Sequence, residues 1–455
     1  MQAVNPPTSL PPASTWEPRP DLALAERLFE VLRQTGHDGV GITRDTYGPG
    51  EQRAHALATE TARALDLEVR TDAALNLYLT LPGRNRNAPA VFTGSHLDSV
   101  PRGGNYDGAA GVVAGLAVLA GWRQAGAIPD CDVTVMGVRA EESAWFPVSY
   151  IGSKAAFGLL PAEALQARRF DTQRTLADHI QSCGGQPDRI VQGPAALDAS
   201  RIAAFFELHI EQGPVLLDGG FEVGVVSGIC GSLRYRQARV LGEYAHSGAT
   251  PRSHRHDAVV AAAELVCTLQ REWADMERQG HELTLTFGQF GTDGQQADFS
   301  KVSGQVDFCI DIRSRSLDSL HDMDLRVQRT AEAIGQRLGV RFDLGPSSGS
   351  QPAAMDDTLR DRLRHAARQS GAAVRDMPSG AGHDSALFAN QGVPSAMLFV
   401  RNAHGSHNPH EAMAAADFAA ATRVLGQAMA ETAGLQRAAG LETCLLYTSP
   451  SPRDV

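Results

Sequence analysis

Short apolar segments of strand length alternate with segments of helical length along much of this 455-residue chain. Residues 90–93, 133–136 and 203–209 are apolar and rich in β-branched and aromatic side chains. Between the first two, an alanine- and valine-rich segment begins after Asp107 and continues to about Gln124, which predicts a helix. Buried strands that alternate with helices form mainly parallel sheets that are covered on both faces. The sequence therefore predicts an α/β fold built around such a sheet.

The pattern changes between residues 231 and 345, where two strand–helix–strand passes follow one another. These passes predict a small α+β domain. The α/β pattern returns after residue 346, so the small domain is expected to be an insertion. The large domain would then consist of residues 21–230 and 346–436. The predicted elements of the insertion are strands at 234–241, 283–290 and 306–312 and helices at 257–273 and 317–338.

Both ends of the chain are expected to lie outside the fold. Residues 1–20 are rich in proline and lack the apolar core of a secretion signal, which predicts a disordered lead. The segment after Leu441 resembles the translated read-through of a sequencing adapter. Residues 437–455 are therefore predicted to be a non-native or disordered tail without a function.

The charge of the chain bears on the partners that it can bind, and its cysteines bear on its location in the cell. The chain has 41 basic and 52 acidic residues, a formal net charge of -11, and no basic cluster. These numbers argue against binding to nucleic acid or to an anionic membrane surface. No apolar stretch approaches the roughly 20 residues that span a bilayer. The six cysteines are scattered without a Cys-x-x-Cys motif, which predicts reduced thiols and a cytoplasmic location.

Side chains that commonly bind metals follow four of the predicted buried strands. In open α/β sheets, binding sites form at the edge where the parallel strands end. Imidazoles and carboxylates that converge there predict a site for divalent metal ions. The candidate residues at these strand ends are His96, Glu141, Glu142, His209 and His407.

Each candidate has a simpler explanation when it is taken alone. A single histidine at a strand end is most often structural or solvated, and two adjacent glutamates are usually a solvated charge. Asp107 precedes a helix and could be its N-cap. Gly104, Gly108 and Gly111 could suggest a phosphate loop, but they lack the G-x-G-x-x-G spacing and the Walker lysine. The combination of residues favours the metal site.

Taken together, the motifs resemble the dinuclear zinc aminoacylase and carboxypeptidase superfamily. Within it they look like the amidase branch of N-carbamoyl-L-amino acid hydrolases, β-ureidopropionase and allantoate amidohydrolase. The string Glu-Leu-His-Ile-Glu-Gln-Gly-Pro at 207–214 is the most diagnostic of this branch. The other motifs are Gly-Ser-His-Leu-Asp-Ser-Val at 94–100, Gly-Gly-Asn-Tyr-Asp-Gly at 103–108, the pair Glu141-Glu142, His-Ser-Gly at 246–248, Met-Pro-Ser-Gly-Ala-Gly-His-Asp at 377–384 and Ser-His-Asn-Pro-His-Glu at 406–411.

The resemblance implies a site for two divalent ions. Zinc is the expected metal, and manganese, cobalt and nickel are alternatives. Asp107 would bridge the two ions. His96 and Glu142 would each hold one of them, and His209 and His407 would complete the set. His404 and His410 compete with His407 in the same segment, and the Ser-His motif favours His407.

The resemblance also implies the catalytic groups. Glu141 would be the general base, which takes a proton from the attacking water and passes it to the leaving nitrogen. Asp98 would accept a hydrogen bond from the His96 ring and select its tautomer. His246 would contact the substrate oxyanion in the partner subunit's site, which implies a homodimer formed through the inserted lid domain. His246 could instead be a solvated loop residue.

Several residues are expected to contact a small-molecule substrate. Gln212 would hydrogen-bond its carbamoyl or amide group, and Gly380 is a further predicted contact. Arg313 would bind a substrate carboxylate, although it could instead pair with a surface acid. Trp145 and Ser300 stand where relatives usually carry arginine and asparagine. These two departures leave the metal ligands intact and suggest a bulkier or less polar N-substituent.

The implied activity is that of a metal-dependent amidohydrolase acting on linear amides. The first expected substrate is an N-carbamoyl-L-amino acid or a related ureido acid. Alternatives are allantoate or ureidoglycolate, and an N-acyl amino acid or dipeptide of the wider superfamily. An alternative of a different class is a metal-free binding protein on the same fold. The complete ligand set together with Glu141 argues against that alternative.

Overall fold

The computed structural model describes residues 18–437. The predicted lead at 1–20 and the predicted tail at 437–455 lie outside the described residues, except for residues 18–20 and 437. Within 18–437, no helix combines the length and the apolar character that crossing a membrane requires.

Strands and helices alternate through most of the described chain. The strands are β1 (Glu68–Thr71), β2 (Leu77–Leu81), β3 (Ala90–His96), β4 (Ala127–Ile128), β5 (Val133–Val138), β6 (Ile202–Ile210), β7 (Val223–Ile229), β8 (Gly231–Leu241), β9 (Ala245–His246), β10 (Leu283–Thr286), β11 (Phe290–Thr292), β12 (Lys301–Val302), β13 (Gln305–Ser314), β14 (Arg341–Asp343), β15 (Ser347–Ser350), β16 (Ala353–Ala354), β17 (Val374–Ser379), β18 (Ser395–Val400) and β19 (Gln436–Arg437). The helices are α1 (Leu22–Gly36), α2 (Pro49–Ala64), α3 (Ala109–Gln124), α4 (Ile151–Ala156), α5 (Leu176–Ser182), α6 (Pro187–Gln192), α7 (Val215–Gly219), α8 (Ala258–Arg278), α9 (Leu317–Leu338), α10 (Asp357–Ser370), α11 (Asp384–Asn390) and α12 (Ala415–Thr432).

The larger sheet has the strand order β1-β2-β5-β3-β6-β18-β7-β16, with β17 paired to β7. Its centre is parallel, because β5, β3, β6 and β18 all run in the same direction. Antiparallel pairs lie toward both edges. The central strands are almost entirely buried, as expected for strands covered on both faces. The predicted α/β fold with a parallel-stranded core is confirmed.

Alternate residues of β6 supply the two faces of this sheet. Phe206 and Leu208 pack in the cluster that contains α3 and α12. Phe205 packs in a different cluster, where its ring stacks on Phe388 of α11 with 3.8 Å between the ring centroids. Gly111 lets α3 lie close to the sheet, since a Cβ there would lie 2.3 Å from the Leu208 carbonyl oxygen. The site-bearing strands are therefore held from both sides.

A second, antiparallel sheet contains β10, β13, β8 and β14 together with β11 and β15. Helices α8 and α9 pack on one of its faces. Residues Ile310 and Ile312 of β13 are buried in the same apolar cluster as Leu265 of α8 and Val327 of α9. This architecture is the α+β arrangement expected of the inserted segment. Strand β15 pairs with β8, so the second sheet continues past residue 345, the predicted end of the insertion. The exact domain boundaries therefore stay a prediction.

Helix α2 was not anticipated from the sequence, because small and charged residues interrupt its apolar face. It carries Glu51, which is fully buried. The Glu51 carboxylate accepts a hydrogen bond from Arg139 Nη1 at 2.9 Å and another from the Ala140 N–H at 2.9 Å. Burial raises the pKa of Glu51 to about 7, although Arg139 opposes this change. The pair anchors the backbone immediately before Glu141.

Replacing Arg139 by methionine should destabilise the fold, because Glu51 would remain buried without its cationic partner. We expect the free energy of unfolding to fall by about 3–5 kcal/mol. Urea denaturation of the wild type and of Arg139→Met measures this difference. Arg33→Met is the matched control, since Arg33 pairs with Glu30 at the exposed surface. An equal loss of stability in both variants would contradict the structural role of the buried pair.

Candidate metal centre

The predicted metal ligands meet at one edge of the larger sheet. His96 is the last residue of β3, and His209 lies near the end of β6. Glu142 lies in the loop after β5, and His407 lies in the loop after β18. Asp107 precedes α3. Because the four parallel strands end at the same edge, residues that are far apart in the sequence converge there.

Asp107 lies at the centre, and its two carboxylate oxygens face different side chains. Oδ1 lies 3.4 Å from His96 Nε2 and 3.3 Å from His209 Nε2. Oδ2 lies 3.6 Å from His407 Nε2, which in turn lies 3.2 Å from Glu142 Oε1. The donor atoms thus form two groups that share Asp107.

The chemistry of this donor set fits divalent cations. Each group presents imidazole nitrogen and carboxylate oxygen atoms that all lie within 4.8 Å of one another. These donor types are those that zinc prefers. His96 and His209 are buried, whereas 49% of the His407 side chain is exposed. One group is therefore enclosed by protein, while the other is open toward solvent.

Gly108, and not Asp107, is the N-cap of α3, and no side chain caps that helix. Gly108 has a φ of +66°, which favours glycine. A Cβ at this position would lie 2.4–2.5 Å from three atoms of the His96 ring. The hypothesis that Asp107 serves merely as a helix cap is therefore wrong. The missing side chain at 108 leaves room for the imidazole of His96.

The buried Asp98 links the two donor groups. His96 Nδ1 lies 3.1 Å from the Asp98 backbone carbonyl oxygen and 3.3 Å from its carboxylate. The same carboxylate accepts hydrogen bonds from the backbone N–H groups of Glu141 at 3.1 Å and Glu142 at 3.2 Å. The Thr46 hydroxyl donates to it at 2.6 Å. Asp98 can therefore orient the His96 ring and also position the loop that carries the glutamate pair.

Groups from later parts of the chain hold Asp107 in place. Gln212 Nε2 donates to Asp107 Oδ2 at 2.9 Å, and the Ser406 hydroxyl donates to the same oxygen. Glu411 accepts hydrogen bonds from the backbone N–H groups of Tyr106 at 2.7 Å and Asp107 at 3.3 Å. Sequence reasoning gave Ser406 and Glu411 no role. Both belong to the motif at 406–411, which also contains His407. Their position in that motif could have indicated a role at the site.

Several ionisable side chains of the site are buried together. Burial raises the pKa of Glu141 well above its ordinary value, with an opposing contribution from His96 and a reinforcing one from Glu142. Burial alone would also raise the pKa of Asp107. The neighbouring imidazoles of His209 and His96 outweigh burial and hold the pKa of Asp107 well below its usual range. The surroundings thus favour the ionised form of Asp107, whereas burial favours the protonated form of Glu141.

A cavity of about 120 Å³ lies over these residues, and both sheets contribute to its walls. Glu141 lines it from the larger sheet, and Arg313 lines it from the second sheet. Asp311 accepts hydrogen bonds from Arg313 Nε at 3.0 Å and Nη2 at 2.9 Å. The Gly380 carbonyl oxygen accepts another from Arg313 Nη1 at 3.0 Å. Arg313 therefore pairs with Asp311 and still reaches the cavity. Gly380 contributes only the carbonyl oxygen that accepts a hydrogen bond from the Arg313 guanidinium.

Besides Gly380, three residues predicted to bind substrate do not line this cavity in the described part of the chain. Trp145 is buried, its indole N–H donates to the Ser99 carbonyl at 2.8 Å, and its ring stacks on Phe170. His246 and Ser300 instead lie together where β9 pairs with β12, and His246 is exposed. The geometry of a single chain gives no support for a substrate contact by these three residues.

Tyr150 and Arg234 are among the residues that line the cavity and were not identified from the sequence. Arg234 lies opposite Asp311 on neighbouring strands, so the two-residue alternation of β8 and β13 could have placed it beside Arg313. Tyr150 lies in the loop between β5 and α4, where no periodic pattern indicates the direction of a side chain.

Residues 92–431 match the Peptidase family M20/M25/M40. An N-carbamoyl-L-amino acid amidohydrolase from Geobacillus stearothermophilus is 34% identical over 409 residues, which cover 88% of this chain and 96% of that protein. The allantoate amidohydrolase of Escherichia coli (strain K12) is 32% identical over 402 residues, which cover 88% of this chain and 95% of that protein.

Solved structures agree with these sequence relationships. The crystal structure of a hydantoinase/carbamoylase family amidase from Burkholderia ambifaria is 29% identical. It matches with a TM-score of 0.77 over 92% of this chain and 99% of that one. The resemblance inferred from the motifs is confirmed, and the matched range contains every proposed ligand from His96 to His407. The chain therefore belongs to the Peptidase family M20/M25/M40.

Proposed function

We propose that this protein is a metal-dependent amidohydrolase that cleaves a linear C–N bond in an N-carbamoyl-L-amino acid or a related ureido acid. The observation that carries the proposal is the pair of donor groups that share Asp107, with Glu141 beside them. Glu141 Oε2 lies 3.8 Å from His96 Nε2, at the margin of one donor group. The names of the two amidohydrolase relatives support the class of bond.

Two ions would occupy the two donor groups. His96, Asp107 and His209 would hold one ion, and Asp107, Glu142 and His407 would hold the other. Zinc is the expected metal, with manganese, cobalt or nickel as alternatives, since imidazole and carboxylate bind all four. When bound, such ions polarise a substrate carbonyl and lower the pKa of a water molecule.

The chain's own side chains would bind the substrate and move the proton. Glu141 would accept a proton from the attacking water and deliver it to the leaving nitrogen, since it lines the cavity beside the two donor groups and belongs to neither. Arg313 would bind the substrate carboxylate from the opposite wall of the cavity. Gln212 would hydrogen-bond the carbamoyl or amide group after turning away from Asp107.

Other substrates of the same reaction class are alternatives. The name of the Escherichia coli relative makes allantoate an alternative substrate. Ureidoglycolate is another alternative, because its chemistry is similar. Dipeptides are a further alternative, which the name of the peptidase family supports, and N-acyl amino acids are another. A metal-free binding protein would have no use for a general base beside a complete donor set. The described cysteines are all free thiols, which supports the predicted cytoplasmic location.

We also propose that the protein is a homodimer formed through the inserted domain. His246 is exposed on that domain and lies outside the cavity of its own chain. Phe299 is 100% exposed and Phe290 is 46% exposed in the same domain, and exposed aromatic residues are typical of protein interfaces. In such a dimer, His246 would reach the partner's site and stabilise the oxyanion.

A panel of substrates tests the proposed reaction. Protein loaded with Zn²⁺ or Mn²⁺ should hydrolyse N-carbamoyl-L-amino acids with a higher kcat/KM than three kinds of comparison substrate. These are the N-acetyl forms of the same amino acids, dipeptides that contain them, and allantoate. Faster hydrolysis of allantoate would reverse this order of substrates. Less than about one bound ion per chain, with no turnover of any compound, would favour the binding-protein alternative.

The variant Glu141→Gln should keep its metal and lose turnover, because it removes the proton acceptor and no proposed ligand. We expect about two ions per chain and a loss in kcat of about 10²- to 10⁴-fold. Glu142→Gln is the matched control, and it should lower the metal content because it removes a donor. Elemental analysis and kcat measure the two effects. Undiminished turnover in Glu141→Gln would show that another group is the base.

Mixed dimers test the predicted role of His246. Glu141→Gln and His246→Ala should each be inactive alone. When subunits are mixed and allowed to exchange, half of the dimers pair the two variants. One site in each mixed dimer then has both intact groups, so about a quarter of wild-type activity should return. If exchange is verified and activity stays absent, His246 does not act across the interface.

A further inference from the structure

One face of the second sheet presents charged residues to the cavity. Arg234 on β8 lies directly opposite Asp311 on β13, and Arg313 lies two positions further along the same strand. Because side chains alternate along a strand, these residues share one face. Tyr235 and Ile312 lie on the other face, where they are buried in the core under α8 and α9.

The two arginines of this face share a single carboxylate. Asp311 Oδ2 accepts two hydrogen bonds from Arg313, and Asp311 Oδ1 accepts one from Arg234 Nε at 3.3 Å. These three side chains together carry one net positive charge, and Arg236, two positions further along β8, does not line the cavity. Within residues 18–437, the terminal nitrogens of Arg234 have no hydrogen-bond partner, so they are available to a ligand.

Tyr150 brings a hydroxyl group to the same cavity. Its backbone N–H donates to the Glu141 carbonyl oxygen at 3.1 Å, and its φ of +58° lies in the left-handed region that tyrosine seldom adopts. The hydroxyl packs against Gly382, since a Cβ there would lie 1.7 Å from it. No described residue forms a hydrogen bond with this half-buried hydroxyl. The local backbone thus holds a free hydrogen-bond donor in the cavity wall.

We propose that Tyr150 and Arg234 join Arg313 in binding the substrate carboxylate, and that this pocket selects substrates with one carboxylate. The inference rests on the proposed function, whose substrate class it defines. One net positive charge matches one carboxylate, and two guanidinium groups with a phenol supply strong charge-assisted hydrogen bonds. A second acidic group on the substrate would be desolvated without a partner. Preferred substrates are therefore N-carbamoyl derivatives of neutral L-amino acids, rather than those of aspartate or glutamate.

Single substitutions test the two residues. With N-carbamoyl-L-alanine, Tyr150→Phe should raise KM about tenfold and Arg234→Gln should raise it further, while kcat changes little, because the contacts lie away from the reacting carbon. Arg234→Lys keeps the charge and should recover part of the loss. Tyr235→Phe is the matched control, since Tyr235 neighbours Arg234 on β8 but faces the core. Its kinetic constants should equal those of the wild type.

A neutral substrate separates carboxylate binding from general damage. With N-carbamoyl-L-alaninamide, the wild type and the two variants should have similar KM values, because the charged group is absent. Equal losses for the acid and the amide would overturn the assignment. Unchanged KM for the acid in both variants would also overturn it. A higher kcat/KM for N-carbamoyl-L-aspartate than for N-carbamoyl-L-alanine would overturn the limit to one carboxylate.

Binding measured without turnover distinguishes this inference from the proposed reaction. Calorimetry should detect binding of N-carbamoyl-L-alanine to metal-loaded Glu141→Gln protein. Double variants that also carry Tyr150→Phe or Arg234→Gln should bind it with about tenfold lower affinity. If the wild type hydrolyses nothing in the panel and this weakening persists, the reaction is wrong but the carboxylate pocket stands. Absence of binding to Glu141→Gln protein, or equal affinity in all variants, would refute the pocket.

Discussion

The sharing of one carboxylate between two groups of donors is the contact on which this site depends. Asp107 presents Oδ1 to His96 and His209, and it presents Oδ2 to His407. These histidines come from three different strands or strand-end loops, so a small movement of Asp107 would separate the groups. The backbone N–H of Asp107 donates a hydrogen bond to Glu411, which holds the Asp107 backbone in place, and the absence of a side chain at Gly108 leaves room for the His96 ring.

Buried charged residues beside the site hold the loops that carry the proposed ligands. Asp98 binds both the His96 ring and the backbone of the glutamate pair, and the Glu51–Arg139 pair anchors the residues just before it. Burying a charge is costly unless it is paired. Each of these groups therefore constrains its neighbours strongly.

Much of the fold could be predicted because its core strands carry a simple signal. Strands buried on both faces form short apolar runs, and the apolar segments at 90–93, 133–136 and 203–209 lie within β3, β5 and β6. Helix α2 could not be predicted in this way, since its buried face consists largely of alanine with Glu51 and His55. Tyr150 and Trp145 lie in an irregular loop, where long-range packing and not local periodicity sets the direction of a side chain.

The sequence by itself identified the family, the expected class of reaction and the histidines and carboxylates that are proposed as ligands. Histidines and carboxylates in fixed short motifs are local features, and the ends of parallel strands bring such features to one edge. Only the tertiary structure decided which oxygen of Asp107 faces which histidine. It also decided that Trp145 packs inside while Tyr150 and Arg234 line the cavity. Those choices depend on contacts between residues that are far apart in the chain, which no local pattern records.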